Sequence, residues 1–253
     1  MKNKYVTQNF DYLRGIPALL AELFKSYAER QLKIRNKERL PFGASQNDMF
    51  KAETDKKNEL EALKTETLQK LADIVQTAKA KQESAEKHID RELGMRVPAD
   101  NVTENLLIET REQKAWARIK PLLDRHFEIG ALTSEIKTLV SGFINPVDDS
   151  PGAYDSSDYD SVSALKKELP FYIKGRFAPK EADVYIEQSI NALEDALAAV
   201  RPEYREAVNI KKEMRSGMKQ INLAFIYVRD AVEKNEPEVI IPTWEKNEVA
   251  TLK

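Results

Sequence analysis

The chain has 253 residues, with 42 acidic and 40 basic side chains, two histidines and no cysteine. The lack of cysteine excludes a disulfide framework, a thiolate zinc site, an iron–sulfur cluster and a cysteine nucleophile, and a formal charge of −2 gives no general nucleic-acid footprint. Eight glycines and eleven prolines are few for this length, which argues against turn-rich sandwiches and barrels and for long helices with few connections.

Up to about Leu40, apolar residues such as Leu13, Ile16, Leu20, Phe24 and Tyr27 recur at three- and four-residue steps, the pattern of a helix with one apolar face. Pro17 suits a first helical turn, so the main helix is expected to start there and to end at Pro41-Phe42-Gly43. Its last turns are basic: Lys33, Arg35, Lys37 and Arg39 are the candidate anion-binding residues. Cations at a helix C-terminus are also favoured by the dipole alone.

From Ser45 to Leu93 there is neither glycine nor proline, and Ala, Glu, Lys, Leu and Gln dominate. Ser45 with Asp48 three residues on reads as an acidic variant of the capping box. A continuous helix here would be about 70 Å long, at about 1.5 Å per residue. Its apolar residues fall eleven apart: Leu60, Leu71 and Leu93 in one series, Leu63, Ile74 and Ala85 in a second, Thr67, Ala78 and Ile89 in a third. That period of about 3.67 residues per turn predicts a straight or faintly right-handed packing. The strip is narrow, so the helix requires a partner from its own chain or another copy, and Leu60, Leu63, Leu71 and Ile74 are candidate partner-binding residues.

Gly94 is placed to stop this helix. A third helix is predicted from near Thr103, carrying Leu106, Leu107, Trp116, Ile119, Leu122 and Leu123, with Pro121 kinking or splitting it. Gly130 separates a shorter stretch from Thr133 to about Phe143. Residues 144–160 hold Asp148, Asp149, Asp155, Asp158 and Asp160 with no base, and read as an exposed loop between an N-terminal region (1–143) and a C-terminal one (161–235). The aspartate spacing lacks the glycine and glutamate of an EF-hand.

Beyond the loop, a short helix near Val162–Phe177 is expected to break at Pro170, and another spans Pro179 to Val200 with Val184, Ile186, Ile190, Leu193 and Leu197 inward. The last runs from Pro202 to about Lys234. Met214, Ile221 and Val228 are seven apart, as are Met218, Phe225 and Val232, so the two series form an a/d seam, while Leu223, Ile226 and Tyr227 widen its apolar face. Met214, Met218, Ile221 and Phe225 join the partner-binding candidates. The tail 236–253 reads as extended, and its apolar Ile240, Ile241 and Trp244 are placed to pack on their own chain or on a neighbouring copy.

Catalytic signatures are absent. The closest glycines are ten residues apart, which rules out G-x-G-x-x-G and the P-loop. His88 and His126 are far apart, and Ala85 and Leu123 stand where an E-x-x-H pair needs glutamate. His126-Phe127-Glu128 imitates a deaminase H-x-E whose cysteine partners do not exist here. No apolar run approaches a membrane span, and no secretory core follows Lys2 and Lys4.

The expectation is an all-α, elongated protein made in the cytoplasm, with one very long helix, a C-terminal helical bundle and an extended tail. No enzyme activity, cofactor, metal site, membrane contact or small-molecule substrate is evident. Helix-mediated assembly with protein partners, as a homo-oligomer or larger structure, is the leading function. In composition alone, with no motif behind it, the chain resembles components of virus particles or their scaffolds, among other assemblies. The alternative is a nucleic-acid-associated protein using Lys33, Arg35, Lys37 and Arg39.

Overall fold

Scarce helix breakers yield seven α-helices among the described residues: α1 (Gln8–Arg35), α2 (Gln46–Glu92), α3 (Val102–Leu123), α4 (Ile129–Phe143), α5 (Tyr159–Lys174), α6 (Pro179–Val200) and α7 (Arg205–Lys234). One 3-10 turn, Pro202–Tyr204, leads into α7. An antiparallel pair of short strands, β1 (Val239–Pro242) and β2 (Val249–Leu252), closes the chain in the register Ile241 opposite Ala250. The fold is all-α. This computed structural model describes residues 8–37, 45–97, 101–145, 157–244 and the backbone of 249–252. Arg39, the Pro41–Gly43 stop, Pro98, Asp148, Asp149 and Asp155 lie outside that set.

The chain divides into two compact units, Met1–Ala85 with Glu213–Lys253, and Glu86–Lys212. Of the acidic stretch 144–160, the described residues 144, 145 and 157–160 belong to the second unit. Two of its aspartates have local tasks. The Asp158 carboxylate caps α5, accepting from the Ser161 amide at 3.0 Å and the Ser161 hydroxyl at 2.7 Å, and Asp160 pairs with Arg96 at 2.7 Å. Acids at a helix N-terminus meet unpaired amides and the positive end of the dipole, which gives these residues a structural reason to be there.

In the first unit α1 runs antiparallel to α2. Asn9 donates to the Ser84 hydroxyl at 2.8 Å, Arg30 grips Glu66 with two hydrogen bonds of 2.9 and 2.8 Å, and Lys37 pairs with Glu59. α7 lies against both: Arg14 pairs with Glu213, Lys64 donates to the Glu233 carbonyl at 2.9 Å, and Tyr27 donates to Asn235 Oδ1 at 2.9 Å. The α2 strip is thereby covered within the chain, with Leu63, Thr67, Leu71, Ala78 and Ala85 all buried.

α2 is as long as its composition implies, 47 residues. Ser45 accepts from the Asp48 amide at 3.1 Å and donates to its carboxylate at 2.7 Å. At the other end Met95 N–H bonds the Asp90 carbonyl and Gly94 N–H the Arg91 carbonyl, a Schellman stop with Gly94 at φ +74°. Glycine is required there twice over, because a Cβ would also stand 2.5 Å from the Tyr159 ring. α7 ends in the same way on Asn235, at φ 56°, whose side chain Tyr27 and Gln31 hold.

Three prolines behave differently from expectation. α1 begins at Gln8, not Pro17, and Pro17 lies buried inside it; α5 runs unbroken through Pro170; and Pro121 does not split α3 but sits in its last turn. Each interior proline forfeits one backbone hydrogen bond. Around Pro17 the fully buried Phe10, Leu13, Ile16 and Leu20 compensate, and around Pro170 Leu169 and Ile173 do so. Likewise Gly130 lies in the first turn of α4 instead of separating it from α3.

Inward faces also shift. α3 buries Glu112, Ala115, Ile119 and Leu123, leaving Leu106 and Leu107 exposed; α6 buries Ala182, Ser189, Ala192, Leu193, Glu194 and Leu197, leaving Val184 exposed. Small residues let helix backbones approach closely, so the alanine-rich side of α6 is the one that packs on α4 and α5.

Candidate protein-docking surface

α7 has apolar residues on more of its girth than its neighbours cover. The seam residues Met214, Met218, Ile221, Phe225, Val228 and Val232 are buried, as their heptad spacing predicts. Leu223, Ile226 and Tyr227 are not part of that core: they are 41%, 43% and 44% exposed. At about 100° per residue, Lys219, Leu223, Ile226 and Asp230 fall within a sector of about 60°, and Tyr227 borders it. The surface is an apolar rib with Lys219 at one end and, at the other, the Asp230 carboxylate, which also accepts from Arg229 at 2.9 Å.

The partner-binding candidates are mostly used within the chain. Leu63, Leu71, Met214, Met218, Ile221 and Phe225 are core residues, and Leu60 and Ile74 are half-buried beside them. In the tail Val239 and Ile241 face inward while Ile240 is 52% exposed, the alternation of a half-buried strand. Trp244 folds back on the first unit: its ring meets Phe10 edge-on with centroids 5.5 Å apart, and its N–H reaches Glu213 at 3.1 Å. The described part of the tail thus packs on its own chain through Phe10 and Glu213.

The basic end of α1 is matched by acids of α2. Lys37 is paired with Glu59, and Arg30, two turns earlier, with Glu66, whose carboxyl the hydrogen bonds from Arg30 and Lys70 hold down at about 2. Lys33 and Arg35 are exposed. Of the four candidate anion-binding residues Lys37 is therefore ion-paired, while Arg39 lies outside the described residues.

The second unit contains a feature that sequence reading missed. The Asp90 carboxylate, near the end of α2, is gripped by two ammonium groups, Lys166 of α5 and Lys211 of α7, and Lys211 also lies 3.4 Å from the fully buried Glu194 of α6. Burial alone would raise the Asp90 carboxyl, but the charges of Lys211 and Lys166 outweigh it and hold it below its usual range. Burial also opposes the Lys211 charge, yet Asp90 and Glu194 keep that ammonium above the ordinary lysine value. Lys166 goes the other way: burial first, then the Lys211 charge, push it down to about 8 against the pull of Asp90. Its amine borders a cavity of about 430 Å³ between α3 and α5.

The depressed Asp90 carboxyl has a consequence for acid stability. Its contribution is complete above the unfolded-state value of about 4 and is lost as pH falls through the lower folded value. Urea titrations should therefore find wild type more stable than Asp90→Asn at pH 7, with the gap closing as pH drops below about 4.

One sequence signal for this cluster did exist. Counting back seven from Met218 reaches Lys211, which places a lysine on the inward seam, and Glu194 interrupts the run Ala192-Leu193 and Ala196-Leu197-Ala198. Asp90 and Lys166 carry no such mark, since their meeting depends on how four helices pack. Among the described residues no His, Asp or Glu grouping is placed to hold a metal ion, and no helix is long and apolar enough to cross a membrane. Comparison with protein-family models, curated proteins and solved structures finds no match.

Proposed function

We propose that the protein is an assembly component that associates with a second copy of itself through the exposed rib of α7. The reading rests on one observation: three large apolar side chains at i, i+3 and i+4 lie outside a core that the same helix already fills. Such spacing is that of a helix–helix contact.

Charge selects the pairing. An antiparallel approach with its twofold axis between positions 224 and 225 sets Leu223 against Ile226 of the other copy and Lys219 against Asp230. Each contact occurs twice because the interface is isologous. A parallel pairing would instead set Lys219 against Lys219 and Asp230 against Asp230. Larger structures built from such pairs, a particle or its scaffold among them, need a further contact elsewhere on the surface.

Sedimentation equilibrium of the full chain tests this reading. Wild type should form a dimer that Ile226→Lys abolishes. Lys219→Asp alone or Asp230→Lys alone should raise Kd about 10–100-fold, since reversing a symmetric pair of exposed charges changes about 1–3 kcal/mol per dimer. The double reversal should restore the dimer. A monomeric wild type at high concentration, or singles that weaken nothing, would overturn the proposal.

A further inference from the structure

α2 stops at Gly94, and Met95, Arg96 and Val97 follow it. With α3 and the last turn of α2 these residues enclose a second cavity, of about 220 Å³. α3 lines it with Glu104, Leu107, Ile108 and Arg111, spaced i, i+3, i+4 and i+7 and hence on one stripe of the helix. α2 adds Arg91, so three guanidinium groups and one carboxylate share a small space. Arg96 is matched from outside it: its Nε donates to Asp160 at 2.7 Å, and its backbone amide donates to Ser163 Oγ at 2.7 Å, which fixes it in place. The side chains of Arg91 and Arg111 are paired with no carboxylate among the described residues. The dipole favours Arg91 at the end of α2 and Glu104 at the start of α3, but Arg111 lies in the middle of α3 and has no such reason to be there. Two unmatched cations against one acid leave the cavity with one excess positive charge.

The rest of its wall is apolar. Met95 is buried, Val97 and Ile108 are half-buried, and Leu107 is 50% exposed, with surface left for a further apolar contact. Met95, Arg96 and Ile108 also line the 430 Å³ cavity between α3 and α5, so the two spaces adjoin along that wall. In the larger one the lysine ammonium groups are tied, Lys166 to Asp90 and Lys167 to Glu112, and their alkyl stems add apolar surface. We propose that the two cavities together bind an amphiphilic monocarboxylate, a medium-chain fatty acid. Its carboxylate lies between Arg91 and Arg111, and its alkyl chain runs along Met95 and Ile108 towards the larger cavity. A guanidinium fork matches the two oxygens of a carboxylate. One negative head group cancels the one excess charge, whereas a dianion would meet Glu104 without compensation and a cation would meet the arginines.

Isothermal titration calorimetry of the full chain with sodium butanoate, hexanoate and octanoate tests this. Octanoate should bind one per chain. Each buried CH₂ should tighten Kd about fourfold, so octanoate should exceed hexanoate by about 15-fold. 1-Octanol, with the same chain and no charge, should bind at least about tenfold more weakly than octanoate. Arg111→Gln should raise the octanoate Kd about tenfold, and Glu104→Gln should lower it about threefold. Both side chains are exposed, so neither change opens the core, and a general folding defect cannot move the two affinities in opposite directions. Ile226→Lys should leave octanoate binding unchanged, which separates this site from self-association through α7. No saturable heat up to about 5 mM octanoate, equal affinity for butanoate and octanoate, or an Arg111→Gln variant that binds like wild type would each overturn the proposal.

Discussion

Replacing Lys211 with methionine should destabilise the second unit by about 3–5 kcal/mol, the usual cost of removing one partner from a buried ionic group. In a chain of this size that corresponds to a fall in Tm of about 10 °C. The reason is local. Lys211 is 3% exposed, and its ammonium is the neighbour that Asp90 and the fully buried Glu194 share. Methionine fills most of the volume but leaves Glu194 facing a low-dielectric interior, where a carboxylate must take up a proton or draw in water. The companion change distinguishes charge from packing. Adding Glu194→Met should recover most of the loss, because a buried ion pair replaced by apolar residues of similar volume is often neutral or better. Urea unfolding of both variants decides the matter; a double variant no more stable than the single one would mean that the cluster acts through shape and not through charge.

The second large effect is expected at Gly217, and it should change sign with context. A Cβ at Gly217 would stand 2.6 Å from Trp244 Cζ2, inside the indole, so even alanine forces the ring out of its seat. Gly217→Ala should destabilise by about 1–3 kcal/mol, the range of overpacking. Trp244→Ala should cost about 3–5 kcal/mol of tail docking. With the ring already gone, however, Gly217→Ala should stabilise the chain by about 0.5–1 kcal/mol, because alanine is the better helix former. A four-member cycle by chemical denaturation reads the coupling, and hydrogen exchange at Val239–Pro242 shows whether the loss is confined to the tail. If Gly217→Ala is equally harmful in both backgrounds, the tryptophan is not what the glycine accommodates.

Gly217 also illustrates what could not be read in advance. A lone glycine in an otherwise strong helix is only a lowered propensity until the residue lying over it is known, and Trp244 is 27 positions away along the chain. The stop at Gly94 is the opposite case. A glycine after a long run of helix formers announces a left-handed cap, because the cap geometry is local, and the Schellman bonds form where that reading puts them. The a/d seam of α7 was equally legible, since a heptad period leaves the same face inward whatever covers it. Leu223, Ile226 and Tyr227 were read as a widening of that inward face and are found outside it: periodicity records which residues are apolar, not how many neighbours are present to cover them.

The amino-acid sequence by itself determined the helical class, the extent and both ends of α2, the α6 start at Pro179 and the seam of α7, because propensity, capping and period act over a few residues. Tertiary structure decided the rest. It carried α1 and α5 through Pro17 and Pro170, where buried side chains on either side outweigh a lost hydrogen bond. It turned the tail back onto its own chain through Phe10 and Glu213. It also gathered Asp90, Lys166, Glu194 and Lys211 from four helices into one cluster. Long-range electrostatics and side-chain packing depend on distances between segments far apart in the chain, and no local pattern encodes those distances.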